Sequence, residues 1–268
     1  MSLQTQDLNL SIAGKIIAEQ LNICFSPGEF WGVMGVNGVG KTTLLQALIG
    51  LYPGDKGKIS LNNKNIKDYK RLDIARLSGM MHQEYDYNFP STVLEAALIG
   101  RHPFINNWQW ENAQDNKLAQ QALHKVGLNE LSQRMVNTLS GGEKRRLNLA
   151  TLLTQNPDYY LLDEPVNHLD IKAQLDILSL LQKRFQQGSR HCGIMVIHDP
   201  NLAYRYCTHI LMLFNNGHYL SGKTEDILNQ ENLSRLYDCT VYQSSQEINN
   251  TRQTFFIPLA PSELSSEK

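Results

Sequence analysis

Gly35-Val36-Asn37-Gly38-Val39-Gly40-Lys41-Thr42-Thr43 is the stretch that decides the architecture of this chain. It matches G-x-x-x-x-G-K-[ST], follows the apolar run Phe30–Met34, and opens TLLQALIGL, in which Leu44, Leu45, Leu48 and Ile49 recur at helical spacing. Glycines let the backbone turn its N–H groups inward around phosphate oxygens, and the helix that begins there adds the positive end of its dipole. Gly35, Asn37, Gly38 and Gly40 are therefore expected to line a phosphate cradle. Lys41 supplies a full charge to the β- and γ-phosphates, and the Thr42 hydroxyl, with Thr43 beside it, is placed to ligand Mg²⁺. The bland alternative is a chance glycine-rich turn. Average residue usage gives on the order of one accidental match per hundred chains of this length, and the strand–loop–helix context lowers that further.

Outward from this loop, short apolar runs rich in Val, Ile, Tyr and Phe recur, each followed by a turn and then a helical stretch: Phe30–Met34, Tyr159–Leu162, Gly193–Ile197 and His209–Phe214. Strands alternating with helices predict an α/β fold with a mainly parallel sheet, whose ligands gather at the carboxyl ends of the strands. Between about Ser91 and Gln155 the pattern changes to helical spacing, as in Leu118, Ala122, Leu123, Val126 and Leu131. The reading is a helical lobe over about 86–155 inserted into a core formed by about 1–85 and 156–245. Residues 246–268 form a C-terminal extension whose polar end, PSELSSEK, is expected to fray.

Two further sites stand out. Tyr159-Tyr160-Leu161-Leu162-Asp163-Glu164 is an apolar strand ending in two acids, and a carboxylate buried at a strand end is costly without a partner. Asp163 fits the acid that organises Mg²⁺, and Glu164 is placed to polarise an attacking water as a general base. Leu139-Ser140-Gly141-Gly142-Glu143 opens the helix that runs to about Gln155, with Ser140 a natural N-cap and two glycines leaving the first turn bare. The bland reading is a capped helix; the sharper one is a second phosphate cradle.

With 268 residues, 41% hydrophobic and 19% charged, the chain buries an ordinary globular core. Twenty-five basic against 26 acidic residues give a net charge of −1 and no electrostatic reason to expect nucleic acid or an anionic membrane surface as the main partner. No stretch approaches the ~18 consecutive apolar residues of a spanning helix, and the N-terminus lacks the pattern of an export signal; a soluble protein is expected. Cys24, Cys192, Cys207 and Cys239 show no metal-binding spacing and read as reduced and mostly buried.

Phosphate loop, LSGGE, apolar-Asp-Glu and a later strand-end His198, in that order, resemble an ABC ATPase over about residues 3–245. The resemblance implies that fold, with an N-terminal antiparallel β part, and a homodimer in which LSGGE of one subunit faces the phosphate loop of the other, so that Ser140 and Gly142 complete the partner's ATP site. It also assigns residues that spacing leaves anonymous. Gln83 matches the glutamine that contacts Mg²⁺ and water at the joint with the helical lobe, Asp170 the loop that crosses the dimer, and His198 the histidine near the γ-phosphate; for a lone histidine there the bland reading is an ordinary strand-end residue. His168 reads as a turn residue. The family usually stacks an aromatic on adenine about where Ile12 stands; either Ile12 packs flat against the base, or another side chain serves. Stacking on an aromatic contributes roughly 1–3 kcal/mol, so its absence weakens nucleotide binding without abolishing it.

Within that family, Phe89-Pro90-Ser91-Thr92-Val93-Leu94-Glu95, Gly100-Arg101-His102-Pro103-Phe104 and Glu231–Tyr237 resemble the ATPases of importers of iron chelates, haem and cobalamin. The resemblance implies ATP and Mg²⁺ as cofactors and integral membrane permease subunits as partners, with a periplasmic or surface binding protein, and a place at the cytoplasmic face of the inner (plasma) membrane. It implies no nucleic-acid partner. Phe104, Trp108 and Trp110 then suit a surface lying against the permease, or else fill the core of the helical lobe. The alternatives are a soluble ABC ATPase that acts away from membranes, an exporter or other-substrate cassette, and a non-hydrolysing module. The last would be expected to have lost Lys41, Glu164 or His198.

Overall fold

The computed structural model describes residues 2–83, 90–105, 110–248 and 251–259. Its first element is a long hairpin, β1 (Leu3–Ile12) and β2 (Lys15–Phe25), followed by β3 (Phe30–Met34), α1 (Lys41–Leu48), β4 (Lys56–Leu61), β5 (Lys64–Asn65), α2 (Arg71–Leu77) and β6 (Ser78–Met81). Then come α3 (Val93–Leu98), α4 (Ala113–Lys125), α5 (Gly141–Gln155), β7 (Tyr159–Leu162), α6 (Ile171–Arg184) and β8 (Cys192–Val196). The chain continues through α7 (Pro200–Tyr206), β9 (His209–Leu213), β10 (Tyr219–Lys223), α8 (Thr224–Ile227), α9 (Gln230–Tyr237), β11 (Val241–Ile248) and β12 (Thr251–Pro258).

The main sheet has the order β10-β9-β3-β8-β7-β6, parallel except for β10. Strands β3, β7 and β8 are buried at every position, which is why they read as continuous apolar runs rather than alternating ones. Period-two geometry splits their side chains between two cores. Tyr160, Leu162, Met195 and Met212 face the helical side, in one cluster with Val93, Ala119, Leu123 and Leu147 of the helical lobe. Tyr159, Leu161, Ile194 and Leu211 face α1 and the second sheet, β2-β1-β4-β5, which is antiparallel as expected. Fully burying each such aliphatic or aromatic side chain contributes about 1.5–3 kcal/mol.

The helices of the 86–155 region carry their own start signals. Thr92 with Glu95, Asn112 with Asp115, and Ser140 with Glu143 each form a reciprocal capping box, and Asn156 in the left-handed conformation ends α5. Arg101 lies turned inward, donating to Asp115 Oδ1 at 2.8 Å and to the carbonyls of Thr154 and Gln155, so it clamps α4 against the end of α5.

Residue 245 falls inside β11. The β11–β12 hairpin docks on α7, where Phe256 is buried against Tyr204 and exchanges two backbone hydrogen bonds with the Asn201 side chain. The stretch PSELSSEK lies outside the described residues, as do Phe89 and Trp108. The cysteines are free, but only Cys192 and Cys207 are buried; Cys239 is partly buried, and Cys24 is exposed on the edge strand β2.

Candidate functional site

Five sequence-derived residues emerge at the carboxyl ends of four parallel strands: Gly35 after β3, Gln83 just past β6, Asp163 and Glu164 after β7, and His198 just past β8. Because β6, β7 and β8 are neighbours, and adjacent strands run about 4.8 Å apart, Gln83, Glu164 and His198 meet without any long loop having to carry them.

The phosphate loop takes the conformation its glycines permit. Gly38 and Gly40 have φ of +73° and +108°, and a Cβ on Gly40 would sit 2.6 Å from Ile17, so both steric freedom and backbone approach require glycine there. Gly40 caps α1 without any side-chain hydrogen bond, leaving the first N–H groups of the helix for a ligand. Asn37 and Gly38 are exposed at the tip, and Thr43 is buried beneath it. Lys41 lies folded into its own loop, donating from Nζ to the carbonyls of Gly35 at 2.8 Å and Val36 at 3.0 Å. Burial pushes its pKa down, while the nearby Glu164 and Asp163 carboxylates push it back up.

Thr42 donates from its hydroxyl to Asp163 Oδ2 at 2.7 Å. Asp163 is 1% exposed, and its Oδ1 is buried without a hydrogen-bond partner among the described residues. An unpaired buried carboxylate oxygen beside a hydroxyl marks a place for a hard cation. Burial raises the Asp163 pKa and the Thr42 bond opposes it. Among the described residues no cluster of three or more His, Cys, Asp or Glu forms a metal cage. Such a cage is not needed for Mg²⁺, which is usually held by one or two carboxylates and completes its shell with phosphates, water and neutral oxygens.

Glu164 stands at φ +52°, a conformation that non-glycine residues rarely hold. Its carboxylate takes three partners: Oε1 lies 2.6 Å from His198 Nε2, and Oε2 accepts from Gln83 Nε2 at 3.0 Å and Asn167 Nδ2 at 2.6 Å. A carboxylate only accepts, so Nε2 of His198 carries the proton. The Tyr237 hydroxyl in turn donates to the His198 carbonyl at 3.0 Å.

The remaining predicted residues lie elsewhere. Ser140, Gly142 and Asp170 line a cleft of about 670 Å³ together with Arg146, His168 and Lys172, and no residue of the phosphate loop borders it. Asp170 caps α6 through the Ala173 N–H, and Ser140 caps α5 through that of Glu143. His168 occupies a turn at φ +61°, as its bland reading predicts.

Residues 18–167 match the sequence family described as ABC transporter. The chain belongs to that family. Among its relatives is FpuD of Bacillus anthracis, a petrobactin import ATP-binding protein, 35% identical over 232 residues that cover 86% of this chain and 84% of that one. YvrA of Bacillus subtilis (strain 168), an ABC transporter ATP-binding protein, is 34% identical over 234 residues, 85% of this chain; the chain spans only 53% of that relative's length. A solved ABC transporter described as of metal-chelate type, in an inward-facing conformation, superposes with a TM-score of 0.85 at 28% identity, over 98% of this chain and 99% of that one. The chain is thus an ATP-binding subunit of an ABC transporter and an ATPase. Among the described residues no helix of this cassette is long and apolar enough to cross a membrane.

Several residues of the cassette's site escaped the sequence reading. Asn167 is one, bonded to Glu164 from the same turn; its place three residues after the acid is the only signal that could have found it. Lys15 is another: the Ala13-Gly14 turn, with φ of +48° and +80°, brings its Nζ to 2.7 Å from the Gly38 carbonyl. At the same end of the β1–β2 hairpin, Ile12 and Ile16 are 38% and 41% exposed, where an aromatic is the usual occupant in the resemblance drawn above. A third is Arg145, which no spacing rule singles out.

Proposed function

We propose that this chain hydrolyses ATP as a homodimer that powers import of a metal chelate such as cobalamin, haem or an iron–siderophore. It works at the cytoplasmic face of the membrane through integral permease subunits, fed by a periplasmic or surface binding protein. The hydrolytic part rests on one observation above others: a fully buried, half-unsatisfied Asp163 beside the Thr42 hydroxyl, one residue from a carboxylate that also reaches Gln83 and His198.

In this reading the N–H groups of the Gly35–Thr42 loop and Lys41 hold the triphosphate, and Lys41 exchanges its two carbonyl partners for phosphate oxygens. Thr42, Asp163 and Gln83 would hold Mg²⁺, which would neutralise charge on the triphosphate when bound. Glu164 takes a proton from the attacking water, which can use the second lone pair of Oε1, where His198 is the one partner. His198 donates its Nε2–H to Glu164 and steadies that side chain beside the γ-phosphate position. Ile12 and Ile16 offer an aliphatic bed for the adenine.

The Ser140–Gly142 helix start opens on a cleft with no phosphate loop of its own, which supports completion of the site by a second copy. The import reading is supported by the named role of the petrobactin relative and by the metal-chelate description of the structural neighbour. Phe104, 36% exposed under the Arg101 guanidinium, and Trp110, 90% exposed, are available to a permease surface. Affinity purification of the tagged chain from detergent-solubilised membranes tests this: integral membrane subunits should co-purify, and a chain recovered alone from both membrane and soluble fractions would refute it.

A further inference from the structure

Arg145 lies in the second turn of α5, five residues after the Ser140 N-cap, and its guanidinium enters the space between the helical lobe and the strand ends. There it donates to four backbone carbonyls on two loops: Gln83 at 2.5 Å from Nη1, Asp163 at 3.2 Å and Glu164 from Nη2, and Pro165 at 3.4 Å from Nε. A guanidinium presents five N–H groups in one rigid plane, which suits several carbonyls at once; an ammonium does not. Desolvating a cation is costly unless its donors are used, and here they are spent on the backbone that carries the candidate base and its neighbour across β6 and β7.

Two features give this contact a consequence for catalysis. The Glu164 carbonyl that Arg145 holds belongs to a residue at φ +52°, and that backbone angle sets the direction in which the carboxylate leaves the chain. Moreover, α5 is the helix whose N-terminus carries Ser140 and Gly142, and beyond Arg145 it is held in the core by the buried Leu147, Leu149 and Leu153. At 1.5 Å per residue, Arg145 sits about 7.5 Å along a stiff rod from Ser140.

We propose that Arg145 is a positioning residue for hydrolysis: it fixes the backbone of Glu164 and Gln83 and ties the helix start that serves one nucleotide site to the base that serves the other. The proposal rests on Glu164 being the base.

The test uses the full chain with Arg145→Ala, Arg145→Gln and Arg145→Lys, each alone and combined with Glu164→Gln. Phosphate release gives kcat and KM, and melting curves are recorded beside them. Arg145→Ala should lower kcat about 10- to 100-fold, the scale of an ångström-level misplacement, with KM for ATP nearly unchanged. Arg145→Lys should recover part of the loss. In the Glu164→Gln background the Arg145 changes should cost almost nothing more, because the group they position has gone. A kcat within twofold of wild type, a loss that multiplies fully with that of Glu164→Gln, or a fall explained by melting alone would overturn the proposal. If the alanine variant does not fold, the lysine and glutamine variants carry the same comparison. Wild-type turnover in Glu164→Gln alone would overturn the base assignment, a result distinguishable from failure of Arg145.

Discussion

Replacing Glu164 with glutamine removes a proton acceptor while keeping shape and volume. The carboxylate now accepts from His198, Gln83 and Asn167. The introduced carboxamide has one oxygen and one NH₂, so only one side can go on accepting. With its oxygen toward His198, the NH₂ meets the amides of Gln83 and Asn167, which can turn their own oxygens to receive it. The fold should therefore lose less than the ~1–3 kcal/mol of an unsatisfied buried polar group. Lys41, Thr42, Asp163 and the loop glycines are untouched, so ATP affinity should stay within about threefold, under 1 kcal/mol. Turnover should fall by about 10²–10⁴-fold, the usual contribution of a general base, which is about 2.7–5.5 kcal/mol on the barrier. Phosphate release under saturating ATP and equilibrium nucleotide binding measure the two effects separately. With hydrolysis stalled, sedimentation should show the variant doubling its mass in ATP and Mg²⁺ and remaining monomeric without them. Turnover near wild type would refute the base assignment. Unchanged mass, with the permease subunits present as well as absent, would refute the shared site.

Phe104→Ala distinguishes surface from core: with the ring 36% exposed and covered by Arg101 at 4.1 Å, the isolated chain should lose only about 1–2 kcal/mol, against about 3–5 for a core aromatic. Co-purification with membrane subunits should suffer, and a collapsed melting curve would show the ring to be internal packing. His191 supplies a pH test: burial first, then the Arg184 and Arg190 charges, push its pKa down to about 4 against the Pro157 hydrogen bond. An unfolded histidine titrates near ~6.5, so between those values the unfolded chain binds more protons and stability must fall as pH drops through that window. His191→Gln should flatten the melting-temperature profile between about pH 6.5 and 4; parallel profiles for variant and wild type would contradict the shift.

Local sequence determined much of this protein. The Gly35–Thr43 loop, the Asp163-Glu164 strand end, and the Ser140 and Asp170 caps are each settled by a few consecutive residues, because steric limits on φ and ψ and the orphan N–H groups of a helix start act over one turn of chain. The fully apolar runs of β3, β7 and β8 likewise announced a sheet covered on both faces. What the chain could not reveal by itself is which side chains meet. Gln83 and Glu164 are 81 residues apart, and Glu164 and His198 are 34 apart; their contact follows from the strand order β8-β7-β6, which packing of two cores decides. Arg101 shows the same limit: grouped by sequence with a membrane-facing segment, it turns inward to a buried carboxylate. Nothing within a turn of Arg145 names its partners, so local sequence does not single it out. Its four carbonyl acceptors come from two separate loops, and only the closing of the helical lobe onto the sheet brings them into the plane of one guanidinium.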